Sequence, residues 1–388
     1  MIQLRRLIQG RARTIAVGAL ALVVLAAGWL VLDRWSEQRV LDEACDGVLA
    51  ADETRAVLGE GKLAEQRDRI RREGGLNDEK RTLSIQCKIT RVDESSTGEG
   101  SVEVTVQGVP TLEGDRGQRN GSLYWGTEAE RPVPLGHGWT GFFDGDSEGR
   151  DSEATAAVLL DCPEGRSDLL VTVVGHVTGT TSDNPDDRTR LARIATGTAH
   201  KSAERFGCEA RLGKPLRTVP LPVAEDESVE LRRATGTCAG VPDGRTRSFR
   251  AWESGRGDAP RARCTVGTGQ FQTYDLDAYY GPYAEDMRFR MASDGMDAVR
   301  LVASAVCPAG QSALYAIRRD GGQEAVAHER AALKAFAARS AKDHGCSALT
   351  DPVAPTKPTA PADPDAPANP EASPAGPDTP ADPSPVTP

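Results

Sequence analysis

The longest uninterrupted apolar stretch of the chain lies close to its start. Residues 14–32 form a run of 19 residues without a charged side chain, and a helix of that length, at about 1.5 Å per residue, spans a hydrocarbon layer of about 30 Å. Four arginines precede the run, whereas the charges of Asp33 and Arg34 cancel after it. The positive-inside rule then predicts a single-pass cell-membrane protein with a cytoplasmic N-terminus and an extracellular C-terminal region.

A cleaved signal peptide is the alternative interpretation of this run. Cleavage after Ala19-Leu20-Ala21 would leave too short an apolar region, and no cysteine directly follows the run as a lipidation site. The pattern therefore favours an uncleaved anchor, with the lipid bilayer as the partner of residues 14–32.

Beyond the anchor, short apolar or alternating segments bounded by Gly, Pro and Asp indicate β-strands. They are SVEVTVQGV, ATAAVLLDC and LLVTVVGHV in the first half of the chain and SFRAW, VRLVASAVC and ALYAI in the second. A segment with apolar residues at three- and four-residue spacing follows each group and predicts an amphipathic helix. Gly207 and Gly345 lie where a left-handed residue would end these helices. The pattern predicts an α+β fold with a small antiparallel sheet plus helices in each half.

Several segments of the two halves match in order. CPEGRSDLL at 162–170 corresponds to CPAGQSALY at 307–315, and KSAERFGCEA at 201–210 corresponds to RSAKDHGCSA at 339–348. Cys45-Asp-Gly-Val likewise matches Cys238-Ala-Gly-Val. These matches predict an internal duplication with four cysteines in each repeat.

The predicted organisation has five parts. A cytoplasmic basic stub and the transmembrane anchor occupy residues 1–35. A first α+β repeat covers 36–215, a linker covers 216–236, and a second α+β repeat covers 237–350. A disordered Pro/Ala/Asp-rich tail occupies 351–388 and holds 13 of the 25 prolines. That composition predicts an extended acidic spacer without a core of its own.

All eight cysteines follow the predicted membrane span, where disulfides persist. If the bonds stay within repeats and share one pattern, three of the 105 connectivities remain. The preferred pattern joins strand to strand and the start of each repeat to its end. It pairs Cys87 with Cys162, Cys264 with Cys307, Cys45 with Cys208, and Cys238 with Cys346.

The net charge of the chain restricts the classes of binding partner. The formal net charge is −10, and no basic stripe is present, which argues against nucleic-acid binding. The duplication and the lack of a convincing catalytic motif favour a partner that is another envelope protein or a cell-wall component.

The candidate chemistry is concentrated in one acidic turn. Asp144, Asp146 and Glu148 match the start of a calcium-binding EF-hand loop, but Thr155 stands where the bidentate Glu belongs. Ser147 lies in a G-x-S-x-G match without the strand and helix that a nucleophile elbow needs. The three acids are therefore weak metal candidates, because they supply carboxylates but the loop lacks its bidentate ligand. The sequence predicts no cofactor and no catalytic residue.

The chain resembles membrane-anchored or secreted proteins of high-GC actinobacteria over roughly residues 10–350. The resemblance rests on the anchor, CDGVLAADETRAVLG at 45–59, Gly-Trp-Thr-Gly at 138–141, LLDCP at 159–163 and the helices ending in Gly-Cys. It implies an extracytoplasmic disulfide-bonded fold and transfers no activity. The second repeat departs from the fuller pattern, because no clear helix follows its Cys-Ala-Gly-Val.

The function expected from these features is a noncatalytic, membrane-anchored binding or interaction protein of the cell envelope. One alternative is an envelope hydrolase in which Asp144, Asp146 and Glu148 line a cleft. A second alternative is a structural spacer.

Overall fold

The computed structural model describes a set of ranges between residues 38 and 355. These are 38–59, 61–66, 71–77, 83–92, 100–110, 129–145, 153–164, 167–176, 184–221, 227–243, 249–268, 271–293, 298–319 and 327–355. They all belong to one unit, which ends at Pro355. No helix within these ranges is long and apolar enough to cross a membrane. The predicted anchor at 14–32 lies outside the described residues.

The first half, residues 38–221, is built around an eight-stranded antiparallel sheet with the order β1-β3-β4-β8-β7-β6-β5. β2 also pairs with β3. The strands are β1 (Leu63–Glu65), β2 (Arg71–Glu73), β3 (Ser84–Arg91), β4 (Ser101–Pro110), β5 (Val133–Pro134), β6 (Gly141–Gly145), β7 (Glu153–Leu160) and β8 (Ser167–His176). Alternation along each strand turns one set of side chains toward the helices. On β3 this set is Ile85, Cys87 and Ile89.

Two helices cover that face, α1 (Ala51–Leu58) and α2 (Pro185–Phe206). Asn184 begins α2 by accepting a hydrogen bond from the Asp186 N–H at 2.9 Å, which satisfies one free donor of the first turn. α2 ends at Gly207 in the left-handed conformation, φ 70°, as its position after the apolar periodicity predicts.

The second half, residues 227–355, has a six-stranded antiparallel sheet with the order β13-β14-β12-β11-β10-β9. Its strands are β9 (Val229–Glu230), β10 (Phe249–Glu253), β11 (Arg261–Thr268), β12 (Phe271–Tyr280), β13 (Val299–Val306) and β14 (Ser312–Arg318). The helix α3 (Pro282–Ser293) packs against β12 and β14, and α4 (Ala327–Asp343) covers the other face. The coarse prediction of an α+β protein with two antiparallel sheets is confirmed.

The two halves share a strand order. β3-β4-β8-β7 in the first half corresponds to β11-β12-β14-β13 in the second. The first strand of each set carries a cysteine, Cys87 or Cys264, and the last strand precedes another, Cys162 or Cys307. That the halves are copies of one ancestor stays a prediction.

Four disulfides are present, but they do not follow the preferred pattern. They join Cys45 to Cys87, Cys162 to Cys208, Cys238 to Cys264, and Cys307 to Cys346. The pairing of Cys87 with Cys162 and of Cys264 with Cys307 is therefore wrong, as is that of Cys45 with Cys208 and of Cys238 with Cys346.

The strand order explains the error. β4 and β8 lie between β3 and β7, and three steps of about 4.8 Å exceed the roughly 7 Å that a disulfide allows between Cα atoms. β12 and β14 separate β11 from β13 in the same way. All bonds do stay within one half and share one pattern, as expected.

A shared layer of buried side chains joins the halves. It includes Phe142, Leu159 and Leu170 from the first sheet and Tyr279 and Leu314 from the second. The segment predicted as a linker is also packed, since Leu216 is buried in the first core and Leu231 in the second. The second half continues past residue 350, because Val353 pairs with Val302 on β13. Residues 356–388 of the predicted tail lie outside the described residues.

Gly141 offers a test of how tightly β6 packs. A Cβ there would lie 2.4 Å from the Ala157 carbonyl oxygen and 2.8 Å from Leu135 Cδ1. We expect Gly141→Ala to lower the free energy of unfolding by about 1–3 kcal/mol through overpacking. Urea unfolding followed by tryptophan fluorescence measures this loss. Gly255→Ala is the matched control, because a Cβ at Gly255 meets nothing within 4 Å; equal stability of the two variants would contradict the packing.

Candidate binding cavity

Of the acids predicted as metal or hydrolase candidates, the structure describes Asp144 alone. It lies at the end of β6 and accepts hydrogen bonds from the Arg131 N–H at 2.7 Å and the Glu130 N–H at 3.1 Å. Burial raises the pKa of Asp144, and these two N–H groups offset part of that rise. Asp144 therefore holds a neighbouring loop. Asp146 and Glu148 lie outside the described residues.

Cys45, Glu65 and Cys87 have ligand atoms within 4.8 Å of one another. The two sulfur atoms are bonded to each other, so neither is the thiolate that a metal requires. Glu65 accepts a hydrogen bond from the Cys45 N–H at 3.0 Å. This group is therefore part of the disulfide's surroundings and does not form a metal site.

A cavity of about 420 Å³ opens beside the second sheet, against a segment of the first half. We call it the arginine cavity. Four of its lining residues are arginines and three are acids: Arg131, Arg263, Arg318, Arg319, Glu130, Glu253 and Asp275. Its walls come from both halves, because residues 130–132 face the strands β10, β11, β12 and β14.

Strand register creates this polar wall. Arg263 on β11 lies opposite Asp277 on β12, and Thr265 lies opposite Asp275. Asp275 in turn lies opposite Arg318 on β14. Residues directly opposite each other share one face of a sheet, so this face is charged at one end. The other face carries the apolar side chains that pack against α4.

Asp277 is the centre of the charged face and is fully buried. Its Oδ1 accepts hydrogen bonds from Arg263 Nε at 2.7 Å and from Arg261 Nη1 at 3.2 Å. Its Oδ2 accepts one from Arg318 Nε at 2.8 Å. One carboxylate therefore holds three guanidinium groups in place.

The same arginines fix the wall contributed by the first half. Arg261 Nη2 donates to the Ala129 carbonyl at 3.1 Å, and Arg263 Nη1 donates to the Glu130 carbonyl at 2.8 Å. Asp144 binds the N–H groups of Glu130 and Arg131 from the opposite side. Residues 129–131 are thus clamped between the two sheets.

Arg263 still has unused hydrogen-bonding capacity. Its side chain is 9% exposed, and its Nη2 is buried without a partner among the described residues. Burial alone would lower the pKa of Arg263, but the charges of Asp277 and Asp275 outweigh it and hold this pKa above its ordinary value. The cavity wall therefore contains a permanent cation, and the two N–H groups on its Nη2 are enclosed by protein.

Two of the acids at the cavity are engaged by donors of the protein. Glu253 accepts hydrogen bonds from three backbone N–H groups, those of Thr235, Gly236 and Cys238. Asp275 accepts one from the Thr265 hydroxyl at 2.6 Å. Burial raises the pKa of Asp275, and Arg263 offsets part of the rise. These acids hold strands and loops in position.

The arginine cavity was not predicted from the sequence, although a signal for it exists. RARC on β11 and DLDA on β12 place charges at every second position, Arg261, Arg263, Asp275 and Asp277, in otherwise apolar strands. Such alternation predicts one polar face. Pairing of the arginines with the acids depends on which strands are neighbours, which the alternation does not reveal.

A separate buried acid, Asp168 at the start of β8, lies where the halves meet. It is 2% exposed, accepts a hydrogen bond from the Cys162 N–H at 3.3 Å, and receives one from Gln311 of the second half at 3.4 Å. Burial, with a smaller contribution from the charge of Asp161, raises the pKa of Asp168 to about 6.

This pKa predicts a pH dependence of stability. Because the folded-state pKa lies above the unfolded value of about 3.9, Asp168 contributes stability below pH 4 that is lost as pH rises through 6. From pH 4 to 7 we expect the wild type to lose about 2 kcal/mol more than Asp168→Asn. Urea unfolding across that range measures it. Asp161→Asn should keep the dependence at a slightly lower midpoint, and identical profiles for wild type and Asp168→Asn would refute the assignment.

Comparison with known proteins gives no match. No protein-family model matches the chain, and neither a curated protein nor a solved structure is significantly similar to it. Only the geometry described above therefore bears on function.

Proposed function

We propose that the chain is a noncatalytic binding protein of the cell envelope and that its ligand site is the arginine cavity. The volume of about 420 Å³ lies in the range of small-molecule sites, which span roughly 300–1,000 Å³. Side chains of both halves meet there, and meeting points of this kind are preferred places for ligands.

One observation carries the choice of binding over catalysis. Glu253 and Asp275 accept hydrogen bonds from the protein's own N–H and O–H groups, which supports a structural role for both acids in the cavity wall. A hydrolase site built on Asp144, Asp146 and Glu148 gains no support, since Asp144 is committed to two backbone N–H groups. No described feature favours the spacer.

The proposed location is the outer side of the cell membrane, with residues 14–32 as the anchor and the N-terminus in the cytoplasm. Four disulfides support an oxidising compartment. The shared strand order and cysteine pairing support a duplicated fold. The ligand would then be part of the envelope, either a cell-wall component or a group on another envelope protein.

Identification of a co-purifying ligand tests the proposal. The full chain is purified from membranes in a nonionic detergent, denatured, and the released small molecules are identified by mass spectrometry. Thr273→Trp fills the cavity, because the half-buried Thr273 lies in its wall. Arg232→Gln is the matched control, since Arg232 is 65% exposed and pairs with nearby Glu230.

We expect the same compound from the wild type and from Arg232→Gln, and at least a tenfold smaller amount from Thr273→Trp. Incubation of the compound with fresh protein should return it unchanged. Chemical conversion of the compound would replace the binding proposal with an enzymatic one, and equal recovery from all three proteins would remove the cavity as the site.

A further inference from the structure

The wall of the arginine cavity restricts the kind of ligand that it can hold. We infer that the cavity binds an uncharged carbohydrate, a molecule whose hydroxyl groups both donate and accept hydrogen bonds. This inference rests on the proposed binding function and names the chemical class of the ligand.

A row of four residues crosses the second sheet at the cavity. Trp252 on β10 lies opposite Thr265 on β11, and Thr265 lies opposite Asp275 on β12. Asp275 in turn lies opposite Arg318 on β14. All four line the cavity, and three steps between neighbouring strands span about 14 Å. The sheet therefore provides a floor with an indole ring, a hydroxyl group, a carboxylate and a guanidinium group in line.

The charges in and behind this floor balance, because three arginines face three acids. The arginines are Arg261, Arg263 and Arg318, and the acids are Asp144, Asp275 and Asp277. Asp277 pairs with all three arginines, and Asp275 lies 4.0 Å from Arg318. Burial raises the pKa of Asp144, and the charges of Arg263 and Arg261 offset part of that rise. The floor therefore has no net charge that an ionic ligand would neutralise.

The other charged residues of the wall are compensated in the same way. Arg319 pairs with Glu329 at 2.7 Å, and Glu253 accepts hydrogen bonds from three backbone N–H groups. Glu130 and Arg131 are adjacent and opposite in charge. An anion in the cavity would lie near the acids and a cation near the arginines, and like charges placed together cost several kcal/mol. The wall therefore favours an uncharged ligand.

Polar groups that a ligand can reach remain in this balanced wall. The side chains of Asp275, Arg318 and Arg319 are 17–29% exposed. A carboxylate only accepts hydrogen bonds and a guanidinium group only donates them, whereas a hydroxyl group does both. Neighbouring hydroxyl groups of a sugar can therefore donate to Asp275 and accept from Arg318. An apolar ligand would displace water from these groups without replacing its hydrogen bonds.

Trp252 adds an apolar surface at one end of the row. The strand register places its indole ring on the same face of the sheet as Thr265 and Asp275. A sugar ring carries C–H groups as well as hydroxyl groups, and C–H groups pack against the face of an aromatic ring. The order of aromatic and polar groups along the row therefore suits a sugar better than a compact polar molecule such as urea.

A glycan array tests the inference. The full chain is purified in a polyoxyethylene detergent, which contains no sugar, and is applied to immobilised oligosaccharides. One set is uncharged and built from glucose, mannose, galactose and N-acetylglucosamine; the other sets carry uronate, sulfate, phosphate or free amino groups. We expect binding to members of the uncharged set and weaker binding to charged oligosaccharides with the same backbone.

Calorimetry with the best uncharged oligosaccharide then measures its Kd in solution. We expect this Kd to change less than about twofold between about 0.05 and 0.5 M NaCl, because salt screens interactions between charges and the ligand has none. Mass spectrometry after incubation should recover the oligosaccharide unchanged.

Three variants locate the binding. Thr273→Trp fills the cavity, and Asp275→Asn removes the charge and one acceptor oxygen from the floor. Both should weaken binding of the oligosaccharide about tenfold or more, whereas Arg232→Gln should bind as the wild type does. If Asp275→Asn does not fold, Thr273→Trp and the preference of the wild type for uncharged oligosaccharides decide.

The results that overturn the inference differ from those that overturn the proposed function. No binding to any uncharged oligosaccharide, tighter binding to charged ones, or unchanged binding by Thr273→Trp would each refute a site for uncharged carbohydrate. Cavity-dependent recovery of a ligand that is not a carbohydrate would refute it while leaving the binding function intact. Hydrolysis of the bound oligosaccharide would keep the ligand class and refute the noncatalytic function.

Discussion

Replacing Asp277 with alanine is expected to lower the free energy of unfolding by roughly 3–5 kcal/mol, the cost typical of removing one partner from a buried ion pair. Asp277 and Arg261 are both fully buried, and Arg263 and Arg318 also donate to the Asp277 carboxylate. Without that carboxylate, three guanidinium groups lose their shared acceptor, and one of them, Arg261, is fully buried. Repulsion among them adds to the loss.

Urea unfolding of the oxidised protein measures this effect. Asp351→Ala is the matched control, because Asp351 pairs with Lys334 at 2.6 Å but is 78% exposed, and exposed pairs contribute little. Adding Arg318→Met to Asp277→Ala should recover part of the loss, since one uncompensated charge is removed with it. Stability of Asp277→Ala equal to that of Asp351→Ala would contradict the central role of Asp277.

Removing the disulfide between Cys162 and Cys208 by a double alanine substitution is expected to cost about 4 kcal/mol. The bond ties the end of β7 to the residue that follows α2, across a sequence separation of 46. Its loss frees that loop in the unfolded chain and raises the entropy of the unfolded state. The helix end at Gly207 also loses its attachment to the sheet.

The corresponding bond between Cys307 and Cys346, with a separation of 39, is the matched comparison and should cost nearly as much. Unfolding in urea under oxidising conditions gives both values. Non-reducing peptide mapping should recover Cys162 with Cys208. A peptide linking Cys87 to Cys162, or a stability loss below about 1 kcal/mol, would overturn the expected result.

Local features of the fold were readable from the sequence, whereas long-range ones were not. The helix stops at Gly207 and Gly345 follow from periodicity and glycine. β4 pairs with β8, although the two strands are far apart in the sequence. Because the sequence does not show that these strands lie between β3 and β7, the predicted disulfide between Cys87 and Cys162 was wrong. The sequence pattern described above does not predict α3, although Pro282 is suited to the first helical position.

The arginine cavity shows the same limit. Asp144 was singled out because its neighbours in sequence are acidic, yet its partners are backbone groups of residues 130 and 131. Arg263 follows Arg261 on β11 and Asp277 follows Asp275 on β12, so each strand by itself shows charges of one sign and no ion pair. Only the pairing of β11 with β12 brings their charges together.

The hydrogen bonds that hold residues 129–131 limit where recombination can separate the two halves of the coding sequence. Arg261 and Arg263 of the second half donate to carbonyl groups of Ala129 and Glu130 in the first. A recombination breakpoint anywhere in 216–236 would place the arginines and the carbonyl groups that they bind in different proteins. The second product would inherit buried cations with part of their hydrogen bonding missing. The two halves therefore complete each other's hydrogen bonding, however alike their strand orders are.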